Sequence, residues 1–466
     1  MTTTYDLLVL GGGPGGFDAA VEAAAAGLRT ALVETADLGG ACLNCGCIPT
    51  KLWLGATCVI EELAAQTKVR VASGEVRVDF AALQARKDRH IAATRKAMGQ
   101  RLAALGVDLV AGRGRVAEPH VLEVKTAEGS RTLKFRKLLV ATGSRPASFP
   151  GLTPDGKRVL DSTGFLALPQ MPKSLLVVGG GFIGLEMAQA AHRLGAKITV
   201  VDALPRIAGP EDPEVSKALE SVFKRLGWDF RLGVKVASVA TQDDCAVLTL
   251  DGESGGESGG ESGSEELVAD CALVAVGRRP NSADLGLESL GVTLYGPGYI
   301  STDENLLAAP DVYAVGDVNG RMLLAHAASH QAHYVVQRLL DRARGPYESG
   351  PVPSILYGAP EVLRVGLMAG EAKAKGESVL VSRTQLIANP IAQAHAATQG
   401  FVKCVWREGR VVGITAVGAD VSRLAVTAAL IVRAGWTRED AAGFMFPHPT
   451  LDESLKAALL ADKEAA

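Results

Sequence analysis

The sequence predicts an α/β chain with two parallel-sheet units and a C-terminal α+β region. Three observations carry this. A buried-strand pattern, a glycine-rich turn and a helical stretch occur twice, at 6–26 and again at 174–194. In each copy a further strand ends on an acid 23 positions after the first glycine, Gly11 to Glu34 and Gly179 to Asp202. From about Pro351 the composition changes, and Ser354–Tyr357, Phe401–Trp406 and Val411–Val417 read as antiparallel strands with Gly409 at a turn.

The 466 residues exceed what one core usually supports and suggest two to three domains. A net charge of -3 argues against a nucleic-acid or anionic-membrane partner in general, though not against local patches. The longest apolar runs, such as Ala19–Ala26, are interrupted or too short to span a bilayer, and a first strand starting near Thr4 leaves no room for a signal peptide. The seven cysteines are an odd count, and Cys58, Cys245, Cys271 and Cys404 are scattered, so no secreted disulfide framework is expected. A reducing cytoplasm fits, and a functional disulfide there would be catalytic.

Asp6–Leu10 reads as a parallel strand, Gly11-Gly12-Gly13-Pro14-Gly15-Gly16 as its turn, and Thr30–Val33 as the next strand, closed by Glu34. This is a Rossmann-like dinucleotide fingerprint in its proper context. Gly11, Gly13 and Gly16 let the backbone and a helix N-terminus approach a pyrophosphate, and Glu34 can accept hydrogen bonds from a ribose. A long helical region is expected from about Lys51 to Leu105, then a β-rich excursion from Val107 to Arg145. Gly112-Arg113-Gly114 marks either a tight approach to a ligand or a turn. The excursion returns on Lys137–Gly143, which can bring Thr142, Gly143 and Ser144 near the same dinucleotide. The second fingerprint, Gly179-Gly180-Gly181-Phe182-Ile183-Gly184, with Asp202, implies a second dinucleotide. Asp202 would repel a 2′-phosphate, and the nearest arginine is Arg206, so NAD is favoured over NADP. Glu186 is either an ordinary helix carboxylate or one that reaches the active site. The low-complexity stretch from Gly252 to Glu266 cannot bury a core and reads as a disordered hairpin tip without a catalytic role.

In Gly39-Gly40-Ala41-Cys42-Leu43-Asn44-Cys45-Gly46-Cys47-Ile48-Pro49-Thr50-Lys51 two cysteines stand five apart. One uninterrupted helix would turn Cys42 and Cys47 away from each other, and Pro49 disfavours a helix interior. The segment therefore reads as an irregular turn entering a helix whose N-terminus favours a thiolate. Taken alone, it leaves redox chemistry, zinc ligation and plain burial open, although no second cluster completes a zinc site.

Further on, a strand from Ala272 runs into Gly277-Arg278-Arg279-Pro280-Asn281, and Val312–Val315 ends on Gly316-Asp317. Asp317 is either a ligand carboxylate at the strand edge or a cap for the next helix. His326, His330 and His333 share a helix face, read as a solvated or packing face rather than a metal site. His448 stands between two prolines, with Glu453 expected in the first turn of a helix opened by Pro449-Thr450. That pair is either a carboxylate-oriented general base or a surface histidine at a helix start.

A dithiol gives up an electron pair through sulfur, while NAD+ takes a hydride. A flavin does both, and two dinucleotide folds provide one site for FAD and one for NAD. With the motifs in this order the chain resembles the pyridine nucleotide–disulfide oxidoreductase family over essentially its whole length. Cys42–Lys51 matches the family's redox motif, Gly316-Asp317 with Leu324-Ala325-His326 its second flavin motif, and His448–Glu453 its C-terminal base motif. The resemblance implies an FAD-binding domain at 1–150 and 279–346, an NAD-binding domain at 151–278 and an interface domain at 347–466. It implies non-covalent FAD, one per subunit, held through Glu34 and Asp317 with Gly114, Gly277 and Ala325 nearby, and NAD+/NADH on Asp202. Cys42 would exchange with the substrate dithiol, Cys47 would lie against the flavin, and Lys51 would pair with Glu186 beside it. His448, held by Glu453, would be the base acting on the other subunit's disulfide, hence a homodimer without nucleic-acid or membrane partner. The implied reaction is dihydrolipoamide with NAD+ to lipoamide and NADH, from free lipoamide or a lipoyl-bearing protein. A reductase of another small disulfide, glutathione-like, and a non-catalytic flavoprotein subunit are the alternatives. No metal is expected. Cys45, Trp53 and Asn389–His395 depart from the family pattern, and the last two bear on the lipoyl substrate.

Overall fold

The computed structural model describes residues 3–251 and 265–466, in two compact units. The low-complexity expectation for Gly252–Glu266 thus falls mostly outside the described residues. Its flanks form an antiparallel pair, Cys245–Leu250 against Glu266–Ala269, with Ala246 opposite Ala269 and Thr249 opposite Glu266.

The first unit gathers Met1–Pro49, Gln84–Ala147 and Gly277–Ser349. Its parallel sheet runs Val312–Ala314, Gly129–Val140, Thr4–Leu10, Thr30–Glu34, Asp108–Ala111, with Leu307–Ala309 antiparallel at one edge. Leu7, Leu8 and Val9 are fully buried, as a strand covered on both faces requires. The chain steps outward from Thr4–Leu10 in one direction, then returns to its other side with Gly129–Val140. That reversal opens a crevice at the strands' C-terminal ends. The β-rich excursion between Val107 and Arg145 is present as the strands Asp108–Ala111, Arg113–Glu118, Val121–Thr126, Gly129–Val140 and Ser144–Pro146.

The second unit gathers Thr50–Leu83, Ser148–Val276 and Gly350–Ala466. It repeats the topology in the order Asp229–Leu232, Lys197–Asp202, Ser174–Val178, Cys271–Val274, Val159–Leu160. A separate six-stranded antiparallel sheet follows, ordered Ser354–Leu356, Glu361–Gly366, Arg410–Gly418, Gly400–Arg407, Leu380–Gln385, Glu464–Ala465. Three of its strands, Glu361–Gly366, Leu380–Gln385 and Glu464–Ala465, were not among those expected. Within this unit the helix Pro213–Arg225 is tied to the sheet through its N-terminal acids. Asp212 caps the helix at the Glu214 N–H and pairs with the buried Lys403, and Glu211 meets Arg364 at 2.8 Å.

The expected single helical region is two helices, Cys47–Lys68 and Phe80–Ala104, with 69–79 between them non-helical. The run Gly40–Lys68 is long and apolar enough to pass as a membrane span by composition, contrary to the expectation that no such run exists. Trp53 and Leu54 on it are buried among apolar neighbours. The Trp53 ring lies 5.3 Å from Phe80 and 5.9 Å from Phe165, both edge to face. This explains the unusual tryptophan as a core residue of the second unit. Trp53→Ala is expected to destabilise by about 3–5 kcal/mol, read as a lowered denaturation midpoint, with Trp53→Phe losing less; an unchanged midpoint for Trp53→Ala would contradict this packing.

Candidate active site

The two glycine turns are built alike, atom for atom. Gly11 has φ 104° and a Cβ there would stand 2.4 Å from the Ala141 carbonyl oxygen; at Gly179, φ is 105° and the Ala275 oxygen would be 2.5 Å away. Both positions exclude a side chain because the end of the neighbouring parallel strand passes close at this point. A Cβ on Gly16 or Gly184 would collide with the carbonyl of Gly11 or Gly179. Gly13 and Gly181, by contrast, are the caps of the helices Pro14–Ala25 and Phe182–Arg193, and neither faces an atom closer than 3.9 Å. Each turn thus presents helix N–H groups to open space, which suits a pyrophosphate.

The acids are fixed in the same way. Glu34 accepts from the Gly12 N–H at 2.6 Å and the Ala36 N–H at 2.8 Å. Asp202 accepts from Gly180 at 2.7 Å and Leu204 at 2.8 Å. Every carboxylate oxygen keeps a lone pair for a ribose hydroxyl. The residues present therefore fit two dinucleotides. Arg206 donates to the Gly209 carbonyl at 2.6 Å and does not pair with Asp202.

The cysteine segment differs from the expected irregular turn. Gly40–Cys45 is a short helix, and only Gly46, at φ −145° and ψ −110°, breaks it before Cys47 opens the long helix. A Cβ on Gly46 would meet the Ala41 oxygen at 2.9 Å. Pro49 falls in the first turn, where a missing N–H costs nothing. The break brings Cys42 and Cys47 close together, and the 22-residue helix starting at Cys47 favours a thiolate there. The segment also sits directly on the first fingerprint. Gly39 N–H donates to the Gly12 carbonyl at 2.8 Å, and a Cβ on Gly40 would come within 2.8 Å of the Gly13 Cα.

Asn44, Arg95 and Arg278, to which the sequence reading gave no role, brace the first unit. The Asn44 amide donates to the carbonyls of Asp37, Leu38 and Gly40, and its oxygen accepts from Arg95 Nε at 2.6 Å, while Arg95 also pairs with Asp37 at 2.9 Å. Arg278 donates to the Ser144 hydroxyl at 2.7 Å and carbonyl at 2.8 Å, and lies 3.6 Å from Asp317. Only the run of two arginines after Gly277 hinted at this. Asp317 lies on the short 3-10 turn Gly316–Asn319 and accepts from Ser144, so it does not cap the following helix. Thr142 and Gly143 are fastened to Asn281 by backbone and side-chain bonds. At Gly114 the space of a Cβ is filled by Leu10, Leu122 and Val33, so only its backbone is left for a ligand. Gly277, at φ 120°, has no atom within 4 Å of its Cβ position, and Ala325 opens the helix Ala325–Leu339. On that helix His330 bonds Tyr347 and His333 bonds Glu22, and among the described residues no three His, Cys, Asp or Glu side chains gather as a metal site.

In the second unit Lys51 Nζ reaches Glu186 at 2.7 Å, and Glu186 also accepts from the Tyr357 N–H at 3.0 Å. The ammonium stands 4.6 Å from the centre of the Tyr357 ring, a cation–π contact. Glu186 is buried, so it is a paired and hydrogen-bonded carboxylate rather than a solvated one. Ile183 and Gly184 lie in the first turn of the same helix, Phe182–Arg193.

His448 Nδ1 lies 3.0 Å and 3.2 Å from the two Glu453 oxygens. The helix expected to open at Pro449-Thr450 starts instead at Glu453, because the Thr450 N–H donates to the Glu453 carboxylate and its hydroxyl to the Pro447 carbonyl, forming a turn. Nδ1 is thereby committed and Nε2 is left outward on a side chain that is 71% exposed. This is the tautomer a general base needs.

Two nucleotide crevices, a close cysteine pair packed on one of them and a carboxylate-held histidine define a nucleotide-dependent dithiol–disulfide oxidoreductase. Residues 5–332 match the pyridine nucleotide-disulphide oxidoreductase family and residues 352–459 its dimerisation domain. The chain is 36% identical over 464 residues to the dihydrolipoyl dehydrogenase of Chlorobaculum tepidum, spanning 98% of this chain and 97% of that protein. To the dihydrolipoyl dehydrogenase of Bacillus subtilis it is 34% identical, spanning 100% and 99%. Among solved structures it resembles LpdA from Mycobacterium tuberculosis, with a TM-score of 0.88 at 27% identity over 97% of this chain and 98% of that one. It also resembles the HOCl-induced flavoprotein disulfide reductase RclA from Escherichia coli, with a TM-score of 0.85 at 26% identity over 98% and 99%. The chain belongs to the pyridine nucleotide-disulphide oxidoreductase family. Its chemistry is flavin-dependent dithiol–disulfide exchange, with FAD and NAD(H) as cofactors.

The hydrogen bond from His448, and after it the Thr450 N–H, holds the Glu453 carboxyl below its ordinary value of 4.5. A lowered carboxyl contributes stability above that value and loses it as pH falls further. His448→Ala is therefore expected to be less stable than the parent at neutral pH, with the difference narrowing below about pH 4.5. Denaturation midpoints across that range measure it, and a difference independent of pH would contradict it.

Proposed function

We propose that the protein is a dihydrolipoyl dehydrogenase, oxidising dihydrolipoamide, free or carried on a lipoyl-bearing protein, with NAD+. The single observation that carries this reading is the cysteine helix seated on the first fingerprint at Gly40 and Gly13, in a chain that also holds His448 on Glu453. The full-length likeness to proteins named dihydrolipoyl dehydrogenase supports the substrate. Neither sequence departure that weakened the substrate argues against it. Trp53 is in the core, and Pro390 opens a short helix capped by Asn389.

In this reading residues 1–150 and 279–346 bind FAD, 151–278 bind NAD and 347–466 form the subunit interface. FAD would be held by Gly11, Gly13, Gly16, Glu34, Thr142, Gly143, Ser144 and Asp317, with Lys51 and Glu186 acting on it as an ion pair. NAD would be held by Gly179, Gly181, Gly184 and Asp202. The flavin, when bound, supplies the link between a two-electron thiol couple and a nicotinamide hydride.

The chain's own residues do the sulfur chemistry. His448 Nε2 takes the proton of a dihydrolipoyl thiol, and Glu453 stabilises the imidazolium. The substrate thiolate attacks Cys42 of the oxidised pair, the Cys42–Cys47 bond breaks, and Cys47 departs as a thiolate at its helix N-terminus. The second substrate thiol, once deprotonated, displaces Cys42 from the mixed disulfide, which releases lipoamide and leaves the pair reduced.

A homodimer is part of the reading, because an outward Nε2 needs a thiol to act on. Val426 and Leu430, one turn apart on the helix Ala425–Ala434, are 71% and 61% exposed, as apolar residues kept for an interface would be. A cytoplasmic location goes with thiols that cycle.

Steady-state assays with NAD+ and dihydrolipoamide, against NADH and glutathione disulfide, test the substrate; faster turnover of the second pair would favour a different disulfide. Cys47→Ser is expected to lower dihydrolipoamide turnover by about 10³-fold or more. Because Asp202 faces the ribose site and Arg206 is tied to Gly209, NAD+ should be preferred, and equal rates with NADP+ would count against that assignment.

A further inference from the structure

We infer that Asn389 is a positioning residue for the proton-transfer step, its side-chain amide clamping the turn that holds Glu453 against His448. The inference rests on the reading of His448 as the base.

Asn389 is almost fully buried and uses both ends of its amide. The oxygen accepts from the Ile391 N–H at 2.9 Å and the Ala392 N–H at 3.2 Å, which caps the helix Pro390–Ala394. The nitrogen donates to the Thr450 carbonyl at 3.0 Å and to the Ser454 hydroxyl at 2.9 Å. Those two acceptors flank the stretch that matters. Thr450 donates its own N–H to Glu453 Oε2 at 3.0 Å, and Ser454 follows Glu453 directly in the chain. One rigid, desolvated group thus fixes the residue that orients the Glu453 carboxylate and the residue that anchors the Glu453 backbone.

The chemistry of the site demands a neutral amide with its nitrogen toward the turn. Two acceptors face it there and two N–H donors face the oxygen on the other side. An aspartate would be nearly isosteric and would still cap Pro390–Ala394, since carboxylates cap helices well. It would, however, set a carboxylate oxygen against the Thr450 carbonyl and delete both donated bonds. Asn389→Asp therefore separates the clamp from the cap. A shift of the carboxylate by a fraction of an ångström is enough to misdirect the imidazole, and misplacements of about 1 Å cost on the order of 10²-fold in rate.

Two assays on the purified holoenzyme separate positioning from general damage. Dihydrolipoamide oxidation by NAD+ needs the base; NADH oxidation by ferricyanide draws electrons without the dithiol step. Asn389→Asp is expected to lower kcat for dihydrolipoamide by about 10- to 100-fold, with the NAD+ KM and the ferricyanide rate unchanged. Ser454→Ala, which removes one acceptor and little volume, should show the same split at smaller size. In the double variant the losses should not add, because both act through one contact. If Asn389→Asp does not fold, Ser454→Ala carries the test.

Full dihydrolipoamide turnover in these variants, or an equal fall in both assays, overturns the inference. His448→Gln, run alongside, tests the reading beneath it. If that variant loses dithiol turnover while Asn389→Asp keeps it, the clamp fails and the base stands. If His448→Gln keeps turnover, the base reading itself is wrong.

Discussion

The approach of Gly40 to Gly13 is the constraint on which the first unit is built. Two backbones meet with no room for a Cβ on Gly40, and the Gly39 N–H to Gly12 carbonyl bond closes the contact. The turn that opens the nucleotide crevice and the helix that carries Cys42 are therefore one rigid piece. Any side chain at Gly40 would push the sulfur-bearing helix off the fingerprint, and its positive φ of 55° adds a backbone penalty for most residues. Asn44 and Arg95 brace the same helix from its other side, so its position is set by hydrogen bonds from two directions.

The second unit solves a different problem. Several of its buried polar groups are closely matched. Lys51 meets Glu186, Lys403 meets Asp212, and the Asn389 amide is satisfied at every position. Burial of such groups is tolerable only when their partners are in place. Partnering of this kind gives directional contacts that apolar packing cannot, and it occurs at Glu186 and Glu453, two of the carboxylates with proposed roles, as well as at Asp212.

Much of this was legible in the sequence because it follows from local rules. Glycine spacing, strand patterns and the acid 23 positions on predicted both crevices, and the structure repeats them down to the hydrogen bonds of Glu34 and Asp202. What escaped was set by distant partners or by tertiary context. Gly40–Cys45 folds as a helix although six residues opened by a glycine have little propensity, because the fingerprint supplies a surface for it. The helix at the base motif begins at Glu453 rather than at Pro449-Thr450 because side-chain bonds to the Thr450 N–H and from its hydroxyl favour a turn there. Arg95, Arg278 and Asn389 lie 51, 134 and 65 positions from Asn44, Ser144 and Ser454, and no periodicity reports such pairs. Trp53 looked anomalous only because its partners Phe80 and Phe165 are remote in sequence.

Arg206 carries a consequence for how this chain could change coenzyme in evolution. One terminal nitrogen of its guanidinium donates to the Gly209 carbonyl, three residues on. Removing the acid would lift the repulsion against an extra phosphate, but the nearest cation could not turn to greet it without giving up that bond. A switch of coenzyme would therefore require a new basic residue introduced together with the loss of the acid. If Asp202 sets the coenzyme as proposed, a lineage taking either step alone would gain little, and coenzyme choice would rest on two positions rather than one.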